Sequence, residues 1–434
     1  MKKKIYIGLS LDVIHHGHIN LINKAKNLGQ LTVGLLTDTA IARNKKLPLL
    51  NYDQRKKILG SINGVEKIVP QDEWCYSFNI LKYKPDIMVH GDDWKNDIDG
   101  RQLRNNAKIA LKKIGSKLVE IPHTKDISSS SLQKEFFEQS RISHRNGKYL
   151  KRLIQSKEIT RIIEAHSPLS ALIAQNVSYI NKNGQKTEFD GFWSSSLTDS
   201  TLKGKPDIEV LDLNQRLQNI NEIFDVTTKP LIMDIDTGGK LEHFSINCKI
   251  IERNSISAVI MEDKTGLKKN SLFGTNVKQT QDSIKNFSKK IEIGKKLTKG
   301  NLMIISRIES LILGKSVSDA INRAENYISA GSDGIMIHSK SNSPQEIFKF
   351  AKKFKKLFPN MPLVSVPSSY NQVKEKELIS EGFNVVIYAN HMLRAAYPAM
   401  EKVALDILKY KRSYESDKNL MSIKKILNLI PGTN

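Results

Sequence analysis

Short apolar runs alternate with longer segments of helical periodicity along almost the whole chain, and that alternation restricts the available folds more than any other feature. KIYIGLSL, LTVGLLT, KIVP, DIMVHG and KLVEIP read as strands. INLINKAKNLG, YDQRKKILGSI and the segment after Gly100 read as the helices between them, with Gly29 placed to end the first. Strands alternating with helices build a parallel sheet covered on both faces. The expectation for this part of the chain is a Rossmann-like, doubly wound α/β fold.

SRISHRNGKYLKR interrupts the pattern with polar residues and little apolar periodicity. It places a boundary between Phe136 and Tyr149, giving units over 1–136 and 150–434 with a linker at 137–149. Beyond it the alternation resumes in eight runs: SALIAQ, FDGFWSSS, LIMDID, AVIMED, LMIISRIES, GIMIHS, LVSVPS and NVVIYAN. Eight units match a (β/α)₈ barrel. An open doubly wound sheet has the same periodicity, so the polar residues decide. Ser195, Asp234, Asp236, Glu262, Arg307, His338, Ser368 and Asn390 stand at strand ends, as a ring of reactive groups at one barrel mouth requires.

Lys and Arg number 68 against 45 Asp and Glu, a formal charge of +23. Such a field favours anionic partners, but the lysines are dispersed and lie between apolar helical positions. They read as solvated faces suited to small phosphorylated substrates, with no nucleic acid as partner. The two cysteines, Cys75 and Cys248, are far apart, which points to a reducing cytoplasm and no disulfide framework. The basic start reads as a strand, because its apolar run is broken by Asp12 and lacks a small-residue cleavage site. No stretch approaches membrane-spanning length.

LDVIHHGHINL places His15, His16 and His18 around Gly17, just after the first strand. Zinc would need about four ligands, and no second Cys or His cluster is near. Phosphate fits better: the N–H groups of a helix start and two imidazoles one turn apart can cradle a triphosphate, with Gly17 permitting close approach.

Further motifs follow in order: Thr37-Asp38, YDQR at Tyr52–Arg55, HGDDW at His90–Trp94 and HTKDISSSS at His123–Ser131. Together they resemble the glycerol-3-phosphate and ethanolamine-phosphate cytidylyltransferases. The resemblance implies that His15 and His18 stabilise charge on CTP as pyrophosphate leaves. It also implies that Lys45 or Lys46 neutralises the phosphates, that Ser10, Arg55 and Asp92 hold the nucleotide, and that CTP enters with Mg²⁺. Ile127, Ser128, Ser129 and Ser130 would open a helix whose N–H groups bind the triphosphate; a serine-rich helix cap is compatible with the same residues. Two positions depart from the family. Leu9, Ser10, Leu11 and Asp12 replace Gly-Thr-Phe/Tyr-Asp, and His123 replaces an arginine, which removes a fixed cation.

Asp234 and Asp236 end one strand and Glu262 the next. Converging, they suit Mg²⁺, a hard cation that keeps part of its water shell; singly, such acids also cap helices. EDKTGLKKNS, Glu262 to Ser271, carries a glycine and five charged residues without apolar periodicity. It reads as a mobile loop over the barrel mouth, although a solvated loop has the same composition.

With GFWSSSLTDSTLKGKPD, DIDTGG, RIES and IHS, this region resembles phosphoenolpyruvate mutase, within the isocitrate lyase superfamily. The resemblance implies interconversion of phosphoenolpyruvate and phosphonopyruvate. By motif, Trp193, Ser195, Leu197 and Ser271 line the substrate. Asp234 holds Mg²⁺, with Asp236 and Glu262 acting through waters. Arg307 and His338 grip the phosphoryl group, Asn270 enters on the loop, and Asp207 and Lys268 complete the site. The catalytic cysteine that lyases of the superfamily carry in this loop is missing. The family implies a dimer or tetramer through the barrel.

The two halves explain each other. As the resemblances imply, one would make a carbon–phosphorus bond, and the other would attach CMP to a phosphonate such as 2-hydroxyethylphosphonate or 2-aminoethylphosphonate. The same domain order occurs in the bifunctional enzyme that opens fosfomycin biosynthesis. Two other readings stay open at this level: a phosphonopyruvate hydrolase barrel, and an N-terminal domain that senses nucleotide without catalysis.

Overall fold

The computed structural model describes residues 2–95, 98–122, 146–182, 186–266, 268–271, 278–298 and 300–430. Five strands, β1 (Lys4–Leu9), β2 (Gln30–Leu36), β3 (Lys67–Gln71), β4 (Ile87–Gly91) and β5 (Lys117–Ile121), form one sheet in the order β3-β2-β1-β4-β5. Every pairing is parallel. This is the doubly wound fold. The order reverses between β1 and β4, so a crevice opens at their carboxyl ends, where such sheets bind ligands. The five strand runs named from the sequence are these five strands.

The second unit is a closed barrel of eight strands. They are Thr160–Glu164, Gly191–Ser194, Leu231–Asp234, Ala258–Glu262, Met303–Ile308, Gly334–Ile337, Leu363–Ser365 and Val385–Tyr388. All are parallel, and the last pairs with the first. Successive residues face opposite layers: Ile162 packs inside the barrel and Ile163 against the outer helices. Burial on both faces explains why the strands read as continuous apolar runs rather than alternating ones.

One strand was misplaced by the sequence pattern. SALIAQ lies in the helix Pro168–Asn176, and the first barrel strand is the earlier run Thr160–Glu164. Ser167 accepts a hydrogen bond from the Ser170 N–H, and Pro168 occupies the first helical turn. Those are helix-start residues, and they outweigh an apolar run that periodicity cannot assign.

The helix Gly147–Ser156 joins the two units. Leu150 and Ile154 fill the barrel interior, while Tyr149 and Leu153 pack on Ala42 and Leu47 of the N-terminal sheet domain. Gly147 meets the strand ends so closely that a Cβ would lie 2.8 Å from the Asn301 carbonyl oxygen. No described helix is long and apolar enough to cross a membrane.

Candidate active sites

The carboxyl ends of the barrel strands gather the polar residues named from the sequence. Asp234 ends the third strand and Glu262 the fourth; Arg307 lies on the fifth, and His338 follows the sixth. All four are buried or nearly so. Asp234 accepts hydrogen bonds from the Ser196 hydroxyl and the Asp236 N–H, each 3.0 Å. Asp236 has φ 53°, a left-handed conformation that a side chain adopts only when its surroundings enforce it. Burial acts to raise the Asp234 carboxyl, but Lys268, Arg307 and Arg216 hold it below its ordinary range. Burial, reinforced by Asp234, pushes Asp236 up to about 6. Burial pushes Glu262 up to about 8.

Four residues of the EDKTGLKKNS run close this mouth. Lys268 Nζ lies 2.5 Å from Asp207 Oδ1, pairs also with Asp236, and donates to the Ser196 hydroxyl at 2.6 Å. Asn270 Nδ2 donates to Asp207 Oδ2 at 3.0 Å. The Ser271 hydroxyl donates to Glu309 at 2.6 Å and accepts from Arg307 at 2.5 Å. Lys264 Nζ reaches the Ser271 hydroxyl and Gln279 Oε1, both at 2.9 Å. Lys264 and Thr265, near the start of the run, pair antiparallel with Gln281 and Thr280 beyond its end and form a short stem. The loop is shut by ion pairs on one side and a hydroxyl bridge on the other.

Three supporting residues escaped the sequence reading. Arg216, buried on the helix Leu213–Val226, binds Asp199 at 3.0 Å and donates to the carbonyl oxygens of Asp234 and Ser194, which fixes the end of that strand. Glu309 accepts from Arg307 Nε at 2.6 Å and orients its guanidinium. Arg307 and Lys264 overcome the effect of burial and hold the Glu309 carboxyl at about 2. Its position two residues after Arg307, within the quoted RIES, was the available signal. Glu164, at the end of the first strand, binds His166 at 2.5 Å and accepts from the N–H groups of Met392 and Leu393. It anchors the start of the helix His391–Tyr410.

Among the described residues, Trp193 Nε1, His338 Nδ1 and Glu262 Oε1 are buried without a hydrogen-bond partner. Burial, then the nearby Arg307, brings His338 down to about 4, so its ring is neutral at pH 7. Ser195 and Leu197 flank Ser196 at the start of the helix that follows the second strand. The donor set fits a hydrated divalent cation: three hard carboxylates, of which Glu262 Oε1 and the Lys268-paired Asp236 Oδ1 accept no hydrogen bond among the described residues. Among the described residues no three acidic, His or Cys groups lie close enough to enclose an ion by themselves.

In the N-terminal domain, His15 caps the helix His16–Lys26. Its Nδ1 accepts from the Gly17 N–H at 3.2 Å, and His18 Nδ1 accepts from the His15 N–H at 3.4 Å. The imidazole centroids are 4.0 Å apart. With Nδ1 accepting in both rings, each neutral imidazole carries its hydrogen on Nε2, a donor suited to phosphate oxygens. His15, His18, Ser10, Lys45 and Lys46 line one cleft of about 2530 Å³.

Arg55 takes a different place from the one its motif implied. It is fully buried, donating to the Ser10 carbonyl at 2.5 Å, the Leu50 carbonyl at 3.2 Å and Asp38 at 2.7 Å. Its guanidinium shapes the wall of the site from behind. Asp92 opens the short turn Asp92–Lys95, next to the cleft residues Gly91 and Asp93. Ile127, Ser128, Ser129, Ser130 and His123 lie outside the described residues.

Residues 150–408 match the family model for phosphoenolpyruvate phosphomutase. The chain belongs to the phosphoenolpyruvate phosphomutase family. Residues 6–135 match the cytidylyltransferase-like model, so the N-terminal unit is a cytidylyltransferase-like domain fused to a phosphomutase-family barrel. The phosphoenolpyruvate phosphomutase of Tetrahymena pyriformis is 32% identical over 289 residues, 66% of this chain and 92% of that one. The glycerol-3-phosphate cytidylyltransferase of Bacillus spizizenii is 34% identical over 137 residues, 31% of this chain and 97% of that one. A phosphonopyruvate hydrolase solved with oxalate and Mg²⁺ has TM-score 0.57 and 31% identity, covering 65% of this chain and 94% of that one. The phosphomutase barrel and the cytidylyltransferase-like domain are enzyme folds with separate sites. The histidine cleft is walled on its far side by Lys157, Glu158 and Ile159, which precede the first barrel strand, whereas the carboxylates stand at the strands' opposite ends.

Proposed function

We propose that the barrel interconverts phosphoenolpyruvate and phosphonopyruvate, and that the N-terminal domain transfers CMP from CTP to a phosphonate made downstream, releasing pyrophosphate. One observation carries the first half: Lys268, Asn270 and Ser271 shut a loop over a buried mouth that holds Asp234, Asp236, Glu262, Arg307 and His338. In the mutase reaction the C–P bond of phosphonopyruvate breaks, and a P–O bond forms at the oxygen of the resulting enolate. The migrating phosphoryl group needs positioning and charge stabilisation more than covalent help. Arg307, oriented by Glu309, and neutral His338 are placed to bind its oxygens. The shut loop keeps water from capturing it.

Asp234 would hold Mg²⁺, with Asp236 and Glu262 acting through water, and the bound ion would add Lewis acidity toward the substrate's oxygens. Trp193, Ser195 and Leu197 would line the substrate. In the other domain, His15 and His18 would donate from Nε2 to the phosphates as the α-phosphorus is attacked. Lys45 and Lys46 would neutralise charge on CTP, which enters as its Mg²⁺ complex. Ile127 and Ser128–Ser130 remain proposed triphosphate contacts.

A phosphonopyruvate hydrolase is the second reading, favoured by the similarity to that enzyme. Phosphorus NMR of the purified protein with phosphonopyruvate and Mg²⁺ separates the two. Phosphoenolpyruvate as product supports the mutase; phosphate, with pyruvate, supports the hydrolase. A pyrophosphate-release assay with CTP and a panel of phosphonates and phosphate esters tests the second activity. CTP binding without pyrophosphate release would make the domain a sensor.

A further inference from the structure

Arg152 falls within the residues that match the phosphomutase family, yet its guanidinium serves the other domain. It projects from the helix that plugs the barrel. Nη1 donates to the Leu49 carbonyl at 3.0 Å, Nη2 donates to the Pro48 carbonyl, and Nε lies 3.2 Å from Asp38 Oδ2. Two further side chains hold the same strap. Asp12 Oδ1 accepts from the Leu49 N–H at 2.7 Å, and Arg55 Nε donates to the Leu50 carbonyl at 3.2 Å. Asp38 bridges the two arginines, with Arg55 at 2.7 Å from its other oxygen. Of four backbone groups of Pro48–Leu50 held in this way, Arg152 supplies two partners.

The strap directly follows Lys45 and Lys46, which line the nucleotide cleft. Asp12 and Arg55 also hold the Ser10–Asp12 turn, where Leu11 has φ 54°. A planar guanidinium with donors in fixed directions can serve two carbonyls while its charge faces a carboxylate; a lysine ammonium lacks that geometry. We propose that Arg152 is a positioning residue for the cytidylyltransferase-like domain: from the barrel's plug helix it fixes Pro48–Leu50 and thereby sets Lys45 and Lys46 for CTP. The fusion then does more than tether two enzymes, since the second unit completes the first unit's site. This rests on the reading that the N-terminal domain uses CTP.

The test uses the full-length chain as wild type, Arg152→Ala and Arg152→Lys. CTP binding with Mg²⁺ is measured by titration calorimetry, and mutase turnover is measured on the same samples. In Arg152→Ala the Kd for CTP should rise about tenfold, with mutase kcat/KM within about twofold of wild type. Arg152→Lys, which keeps the charge but not the fork, should fall between the two. If Arg152 merely glues the units together, binding sites and mutase activity fall in equal proportion while the Kd of the remaining protein is unchanged; that result overturns the proposal. Should the alanine variant fail to fold, Arg152→Lys decides alone, and a wild-type Kd there overturns it as well. Wild-type protein that binds no CTP would overturn the underlying reading, and this inference with it. Wild-type binding matched by both variants would sink only the inference.

Discussion

Lys268 Nζ lies 2.5 Å from Asp207 Oδ1, so a residue of the loop is paired with one that follows the second barrel strand. Asn270 reaches the other oxygen of the same carboxylate at 3.0 Å. On the proposed mutase reading Asp207 is the catch of the shut loop, and Asp236, also paired with Lys268, links it to the strand end at Asp234. Loop closure and the reactive mouth share their charges.

Loss of the catch should let water in. Asn270→Ala is expected to lower mutase turnover by about 10² or more, the cost of one preorganised group. The part of the reaction that survives should yield more phosphate and pyruvate than the wild type does. Phosphorus NMR reads both products. Wild-type turnover with no added hydrolysis would mean that Asn270 does not seal the site.

Conversion of phosphonopyruvate should require Mg²⁺ or a similar divalent ion. Asp234→Ala should remove most of the activity, a loss of several kcal/mol if the metal is displaced. Full turnover in EDTA would refute the metal assignment.

Binding of the cation should depend on pH in a defined direction. Burial raises Glu262 to about 8, and burial with Asp234 raises Asp236 to about 6, so both hold protons at low pH that a divalent ion must displace. Mg²⁺ affinity should therefore climb between pH 6 and about 8.5, by up to about tenfold per unit for each proton released. Calorimetry in buffers of different ionisation enthalpy counts those protons. A pH-independent Kd with no proton release would contradict the assignment of Glu262 and Asp236 to the cation shell.

The two activities should separate by mutation. The histidine cleft and the carboxylate mouth lie at opposite ends of the barrel. His18→Ala should lower cytidylyl transfer by about 10² or more, as for loss of one charge-stabilising donor, and leave mutase turnover nearly unchanged. Parallel loss of both in folded protein would show that the sites communicate.

The acceptor should be a small phosphonate. Replacing the bridging oxygen of a phosphate ester with CH₂ removes one acceptor and keeps the attacking terminal oxygens, so discrimination depends on one buried donor at most. With CTP in excess, 2-hydroxyethylphosphonate or 2-aminoethylphosphonate should give the highest kcat/KM. A tenfold advantage for glycerol-3-phosphate or phosphocholine, about 1.4 kcal/mol, would reject the phosphonate acceptor.

Local chemistry was legible in the sequence. The five strands of the sheet, seven of the eight barrel strands, the helix start at His15–His18 and the strand-end acids follow from apolar runs and from residue types at run ends. Such signals depend on neighbours in the chain. The destination of a buried charge depends instead on partners far away in sequence. Arg55 had the motif of a nucleotide contact, but Ser10, Leu50 and Asp38 claim its donors inside the domain. Arg216 acquires its role only when folding brings it to Asp234, eighteen residues further along the chain. SALIAQ, with its apolar centre Ala171–Ala174, is a helix because Ser167 and Pro168 start one and Thr160–Glu164 already closes the barrel. Arg152 is the furthest case. Nothing near it in the chain indicates that it serves the other domain, because its three partners, Asp38, Pro48 and Leu49, are assembled only by tertiary packing. Periodicity determines which face of an element is apolar, whereas the pairing of buried charges is set by long-range contacts that desolvate them together.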